Sequence, residues 1–486
     1  MPYSSALYID DFRQKWINGA PDTRSAVEHP SPSTLSQAFS ARSGLSRWQI
    51  LFIAICLLCG SICVWLWPSA TMTAVYWLFY AGFMLSSLIR LSACFIPAHT
   101  RHIVPEPLAS NENWPTYSVI VAMYKEANIA GQLIKALNRL EYPRHRLEIL
   151  FALEADDTET IRAFEQALSG RSDLKHMRII RVPEGTPRTK PRALNYALTF
   201  ARGDLTVIYD AEDMPDPKQL LTAARYFAEG PSHLACLQAP LRPLHRNNFI
   251  SRHFAAEYAV QFEVILPAMH RMGLPFPLGG TSNHFKTDIL RRIGAWDAYN
   301  VTEDADLGLR LTQYGYTSGL IPVPTYESPP ENSRTWIPQR TRWIKGYMQT
   351  ILVHTRLHTA FKPKVWLGLG LSIGMSVVSA LCYAPFTGLI LTSALINILQ
   401  PEALQLMWPD KLLFIVGMTA ALLALAIGTR RSRAAFGLTD MLTLPAYWSL
   451  QSIACLHALW QLFTRPFHWD KTEHAPILSP AEQASD

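Results

Sequence analysis

The 486-residue chain is short of charge. Asp, Glu, Lys and Arg make up 17% of it, against roughly a quarter in soluble domains, while apolar residues reach 49%. The deficit falls at the two ends, which excludes a wholly soluble protein and predicts membrane helices around a soluble middle. A strong excess of one sign is also lacking. The net charge of +6 is mild for this length and makes no case for nucleic acid as a partner. Seven cysteines without regular spacing exclude a disulfide scaffold. Cys56, Cys59 and Cys63 lie in an apolar run with no histidine or carboxylate beside them, so they read as small packing residues.

Residues 1–47 are polar and aperiodic, and read as a disordered cytoplasmic tail. Trp48–Trp67 and Thr71–Phe95 are each long enough to cross a hydrocarbon core of about 30 Å. They form a hairpin over 48–95, turning at Pro68-Ser69-Ala70. Arg42, Arg47, Arg90, Arg101 and His102 place both of its ends in the cytoplasm. Residues 346–464 are apolar again, with spans expected at Val365–Leu399, kinked at Pro385, and Leu412–Ile427. The cluster Arg430, Arg431 and Arg433 follows. Leu438–Phe463 carries Asp440, Pro445, Gln451 and His457. It reads as a re-entrant or interfacial helical pair, with a fifth span as the alternative; the first reading makes the tail 465–486 cytoplasmic.

The soluble middle, 105–345, alternates strand-like runs with helical patterns. The runs are Tyr117–Ala122, Leu147–Leu153, Met177–Val182, Leu205–Tyr209 and Leu234–Gln238. Ile129–Leu140 and Thr158–Leu168 have helical spacing. This alternation predicts an α/β domain with a Rossmann-type, mostly parallel sheet inserted between transmembrane helices. Ligands bind beyond the carboxyl ends of such strands. Tyr124, Glu126, Glu154, Asp156 and Asp210 should therefore gather at one rim.

At residues 209–217, YDAEDMPDP, three acids follow a strand within four positions. Asp210, Glu212 and Asp213 repel one another unless a cation sits among them. Hard carboxylate oxygens suit Mg2+ or Mn2+, which take one or two of them together with substrate phosphates; a solvated, helix-capping loop is the alternative. A second acidic group, TEDAD at 302–306, precedes a helical pattern, and Gln339-Arg340-Thr341-Arg342-Trp343 comes after it. The small-residue loop PLGGTSNHF at 277–285 lies between the two acidic groups.

In this order the motifs resemble those of the inverting glycosyltransferases of family 2. Within that family they are most similar to the membrane-embedded processive synthases of the cellulose, curdlan and hyaluronan type. The resemblance implies a GT-A-like fold in which Asp210 and Glu212 hold Mg2+ or Mn2+ and the donor diphosphate. The motif here reads DxE, and Asp213 is a rival second ligand. The resemblance also makes Asp304, beside Glu303, the general base. It sets Gln339, Arg342 and Trp343 at the acceptor, with Arg342 near the diphosphate. Tyr124, Glu126, Lys190 and either Glu154 or Asp156 would meet the nucleotide. Phe467–His474 is similar to a gating segment in cellulose synthases.

The function implied is polymerisation of a UDP-hexose, UDP-glucose or a UDP-N-acetylhexosamine, into a β-linked glycan threaded across a bacterial inner membrane. The partners implied are the donor, the growing glycan and membrane lipid, with an export partner supported by no residue. Two alternatives stay open: transfer of one sugar to a lipid or other acceptor, and a non-catalytic scaffold.

Overall fold

The computed structural model describes residues 35–97, 114–244, 248–356, 362–399 and 407–469. Residues 1–34 and 470–486 of the two tails, and Arg101 and His102, lie outside the described residues. Two long helices come first, α1 (Arg47–Leu66) and α2 (Pro68–Cys94). Ser46 and Gln49 cap the start of α1 reciprocally. Pro68 opens α2, where a missing N–H leaves no helical hydrogen bond unmade.

The middle begins with β1 (Tyr117–Met123), α3 (Ala130–Asn138), β2 (Leu147–Glu154), α4 (Thr158–Leu168), β3 (Met177–Val182) and α5 (Lys190–Leu198). It continues with β4 (Leu205–Tyr209), β5 (Met214–Pro215), α6 (Gln219–Glu229), β6 (Leu234–Gln238), β7 (Leu241–Pro243), α7 (Phe249–Val260) and α8 (Leu266–Arg271). Then come β8 (Asn283–Lys286), α9 (Thr287–Arg292), α10 (Glu303–Gln313), β9 (Thr317–Leu320), β10 (Thr325–Glu327) and α11 (Ser333–His354). The last helices are α12 (Pro363–Leu369), α13 (Met375–Leu399), α14 (Trp408–Ser432) and α15 (Leu438–Thr464).

Seven strands form one sheet in the order β3-β2-β1-β4-β8-β6-β9. Neighbours are parallel except β8, which is antiparallel to β4 and β6. The strands read as near-continuous apolar runs because helices cover both faces. Val119, Phe151 and Val207 pack with α3, α4 and α6. Ile120, Leu150 and Ile208 pack with α5, α9 and α10. Each such buried side chain contributes about 1.5–3 kcal/mol, so the sheet fixes the rim at its carboxyl ends firmly. A second sheet, β5-β10-β7, closes one side of that rim.

Among the described residues four helices are long and apolar enough to cross a membrane: α1, α2, Pro363–Leu399 and α14. The third joins α12 to α13 through a π turn at Gly370–Gly374. Leu438–Phe463, read from sequence as a re-entrant or interfacial pair with a fifth span as the alternative, lies in one uninterrupted helix, Leu438–Thr464. Asp440, Gln451 and Ser452 are buried, and Ser452 Oγ donates to the Ala380 carbonyl at 2.6 Å, whereas His457 is exposed. Both ends of α15 are tied to the soluble domain. Asp440 pairs with Arg252 of α7, and Lys345 Nζ of α11 donates to Gln461 Oε1 and to the His468 carbonyl, each at 2.8 Å.

Residues 35–46, read as the end of a disordered tail, are packed instead. They form two 3-10 turns, Gln37–Phe39 and Ala41–Ser43, each capped by a serine. Local polarity hid this, because the contacts that order the segment are supplied by Asp297 and Arg356, more than 250 residues away.

Candidate active site

The carboxyl ends of β1, β2 and β4 open onto one cavity of about 610 Å³. After β1 the chain turns at Lys125, whose φ of 56° lies in the left-handed region. The Asp157 carboxylate accepts its N–H and holds the turn. Tyr124 and Glu126 are thereby set at the rim and line the cavity.

At the end of β4, Asp210 and Glu212 line the cavity and Asp213 does not. Asp213 is 2% exposed. Its Oδ2 accepts the Asp210 N–H at 2.7 Å and the Thr281 hydroxyl, so it braces the turn from within. The cation among these acids is Lys190, at the start of α5. Its Nζ donates to Asp210 and to the Gly280 carbonyl, the latter at 2.8 Å. Burial works against the charge, yet Asp210 and Glu303 hold the Lys190 ammonium above its ordinary pKa.

One ammonium does not balance the site. Burial, then Asp210, raises Glu212 to about 8. Glu327, at the end of β10, also lines the cavity. Burial, then Asp213, Glu212 and Asp210, push it well above the carboxylate range. Among the described residues no group of three His, Cys, Asp or Glu could by itself hold a metal. Two cavity-facing carboxylates with excess negative charge nevertheless fit a hard cation that takes its remaining ligands from a diphosphate.

Across the cavity, α10 begins with the second acidic group. Glu303 and Asp304 line the cavity. Burial, then Asp304, raises Glu303 to about 8, and burial raises Asp304. A Cβ at Gly280 would lie 3.6 Å from Asp304 Oδ2, so the small-residue loop approaches the candidate base closely. Asp306 turns away. It is fully buried between Arg310 (3.0 Å) and His354 (2.9 Å), and despite burial these partners hold it below its usual pKa.

Gln339, Arg342 and Trp343 share one face of α11 and all line the cavity. Gln339 Oε1 is buried without a hydrogen-bond partner. Arg342 stacks on Trp469, 4.5 Å from the ring centroid. Arg340, which motif reasoning passed over, lies 4.3 Å from the Trp343 ring and pairs with Glu257 at 2.7 Å.

Glu154 and Asp156 differ in place. Glu154 lines the cavity and is clamped by Arg192 at 2.6 and 2.8 Å. Asp156 lies outside the lining and pairs at 2.8 Å with Arg188, whose guanidinium covers the Tyr124 ring. The structure thus brings together every candidate side chain except Asp156 and Asp213. Sequence reasoning missed Glu327, although an acid at the end of the short TYE strand was a signal of the same kind as Asp210.

Residues 115–346 match the family model described as "Glycosyltransferase like family 2". This segment is a family 2 glycosyltransferase domain. The chain is 26% identical over 313 residues to the beta-monoglucosyldiacylglycerol synthase of Synechocystis sp., covering 63% of this chain and 62% of that one. It is 25% identical over 290 residues to the UDP-forming cellulose synthase 1 catalytic subunit of Komagataeibacter xylinus, covering 58% and 36%. It therefore spans less than two thirds of the length of these curated relatives. In fold it is similar to a mannosyltransferase from Pyrobaculum calidifontis solved with GDP-Man and Mn2+. That likeness has a TM-score of 0.51 at 18% identity, over 81% of this chain and 98% of that one. The GT-A-like, mostly parallel sheet expected from the sequence is the fold present, with β8 antiparallel to its neighbours.

Proposed function

We propose that the chain is a membrane-embedded, inverting hexosyltransferase that extends a β-linked glycan from a nucleoside-diphosphate sugar, a UDP-hexose such as UDP-glucose or a UDP-N-acetylhexosamine. One observation carries this reading: a single cavity joins the acids of the soluble domain to the membrane helices. Beyond Asp304 and Trp343 it is lined by Ser86 and Arg90 of α2, Ser379 and Tyr383 of α13, and Trp448 and Gln451 of α15. Hydroxyl, amide and aromatic groups suit the edges and faces of sugar rings better than acyl chains.

In this mechanism Asp304 takes the proton of the acceptor hydroxyl while that oxygen bonds to the anomeric carbon from the face opposite the leaving group. The bond to the diphosphate breaks, and Lys190 and Arg342 meet the charge that develops there. Trp343 orients the acceptor ring. Asp210 and Glu212 would hold Mg2+ or Mn2+, which supplies further charge neutralisation for the departing diphosphate. The domain faces the cytoplasm of an inner membrane, and the basic residues at the cytoplasmic helix ends support that orientation. The units are the spans 48–95, the transferase domain 105–345 and the helices 346–464.

A second reading, addition of one sugar to a lipid, is favoured by the glycolipid-forming name of one relative and by the cavity reaching between membrane helices. The purified protein in lipid discs, given Mn2+ and labelled UDP-sugars, separates the readings. Release of UDP with β-linked oligomers supports extension. A single-sugar lipid product establishes the second reading, and no UDP release from any donor leaves only a scaffold.

A further inference from the structure

The packed segment 35–46 is bound more tightly than a leader into α1 requires. Ordering each backbone residue costs about 1–2 kcal/mol, so such order needs specific partners, and they are present. Arg356, 4% exposed, donates to four carbonyls of the segment: Gln37 (3.2 Å), Ala38 (3.0 Å), Ser40 (2.9 Å) and Gly44 (2.6 Å). The Asp297 carboxylate accepts the Ala41 N–H at 2.6 Å and the Ser40 hydroxyl at 3.0 Å. Leu35 is buried against Gly294, where a Cβ would come within 2.9 Å of it.

Asp297 begins the loop that leads to the acids of α10, and this loop touches the site on three sides. The Ala298 carbonyl accepts from Thr189, next to Lys190, at 2.9 Å. The Val301 N–H donates to Gln349 Oε1 at 3.0 Å, and the other end of the Gln349 amide donates to the Pro466 carbonyl at 2.9 Å. Tyr299 lies between the two ends of the chain. Arg42 covers its ring at 5.2 Å, and Phe467 meets it edge-on at 5.1 Å. Two residues beyond Phe467, Trp469 stacks on Arg342 and lines the cavity.

We propose that residues 35–46 are a strap that positions the Asp297–Thr302 loop and, through Arg42, Tyr299 and Phe467, seats Trp469 on Arg342. Ser40, Arg42, Asp297, Tyr299 and Arg356 are positioning residues, and none of them lines the cavity. The kinetic consequence rests on the proposed transferase reading: a loosened strap exposes the donor side and raises the KM for the nucleotide sugar without changing kcat. The structural consequence does not depend on that reading.

Arg42→Ala in the full chain, in lipid discs, is the test. Arg42 is exposed and stands on the surface of the strap, so its loss spares the core. Hydrogen–deuterium exchange is read in the peptides covering 35–46, 297–302 and 465–469, with β1 and β4 as internal references. The strap account expects exchange in the 465–469 peptide to rise by about 2- to 5-fold, the range of an exposed cation–π contact, with the reference strands unchanged. Arg42→Lys should restore most of the protection, and Phe467→Ala should loosen 297–302 in turn. The donor KM of Arg42→Ala should rise by a similar factor. Exchange at 465–469 equal to wild type in Arg42→Ala, or a rise spread evenly over the reference strands, overturns the strap. Absence of any transfer by the wild type instead contradicts the transferase reading, and the exchange result still decides the strap.

Discussion

Asp304 and Asp306 stand two residues apart on the first turn of α10 and serve different environments. Asp304 lines the cavity beside Gly280, whereas Asp306 is locked between Arg310 and His354 with no exposed surface. A carboxylate that faces the cavity with its acidity weakened by burial is poised to accept a proton; one in a buried ion network holds helices together. Asp304→Asn should therefore lower kcat by about 10²- to 10⁴-fold with an unchanged or higher Tm. Asp306→Asn should cost about 3–5 kcal/mol of stability, read by thermal or denaturant unfolding.

The pH profile follows from the same turn. Burial, then Asp304, raises Glu303 to about 8, and burial raises Asp304. The base must be ionised to act, so the rising limb of kcat belongs to this coupled pair and lies above the ordinary carboxylate range. Glu303→Gln removes the neighbouring negative charge and should move that limb to lower pH. A limb that stays in place in this variant contradicts the pairing.

Metal dependence should be legible in stability as well as turnover. Glu212 titrates near 8 in the folded protein and near 4.3 when unfolded, so the folded state binds the extra proton. Its contribution is present below the unfolded value and is lost as pH rises from about 4 to about 8. A divalent cation offsets that loss. The Tm gained on adding Mn2+ or Mg2+ with a nucleoside diphosphate should grow between about pH 6 and about pH 8, and a chelator should abolish it. Asp210→Asn and Glu212→Gln should remove the gain. Asp213→Asn should keep it while lowering the starting Tm, because Asp213 braces the turn.

Gly346 fixes how closely α11 approaches the start of α10. A Cβ there would lie 2.2 Å from Thr302 Oγ1 and 2.7 Å from its Cβ, and a β-branched side chain has little room to yield. Gly346→Ala should cost about 1–3 kcal/mol. It should also lower kcat by shifting Glu303 and Asp304, which unfolding together with single-turnover kinetics will register.

Local pattern revealed the sheet well. The apolar runs at 117, 147, 177, 205 and 234 all became strands because helices cover both faces. Strand β8 was not read as a strand, since NHFK is short with Phe285 its one apolar residue, and its pairing comes from β4 and β6 on either side. Among the acids, order along the chain marked out Asp210, Glu303 and Asp304. It could not separate Glu212 from Asp213, because the distinction depends on Thr281, a residue 68 positions away. The role of Lys190 was equally hidden: sequence offered it as a nucleotide contact, and the fold sets it on Asp210. The strap was missed for the same reason, its order being supplied by distant Asp297 and Arg356.

The central claim is extension of a glycan with Asp304 as base, and product sizing tests it most directly. Wild type and Asp304→Asn are incubated in lipid discs with Mn2+ and labelled UDP-sugars, and the products are separated by size and by solubility in organic solvent. The account predicts water-soluble, β-linked products many sugars long from the wild type and none from the variant. A product confined to a single sugar on a lipid, or equal product from Asp304→Asn, would contradict it.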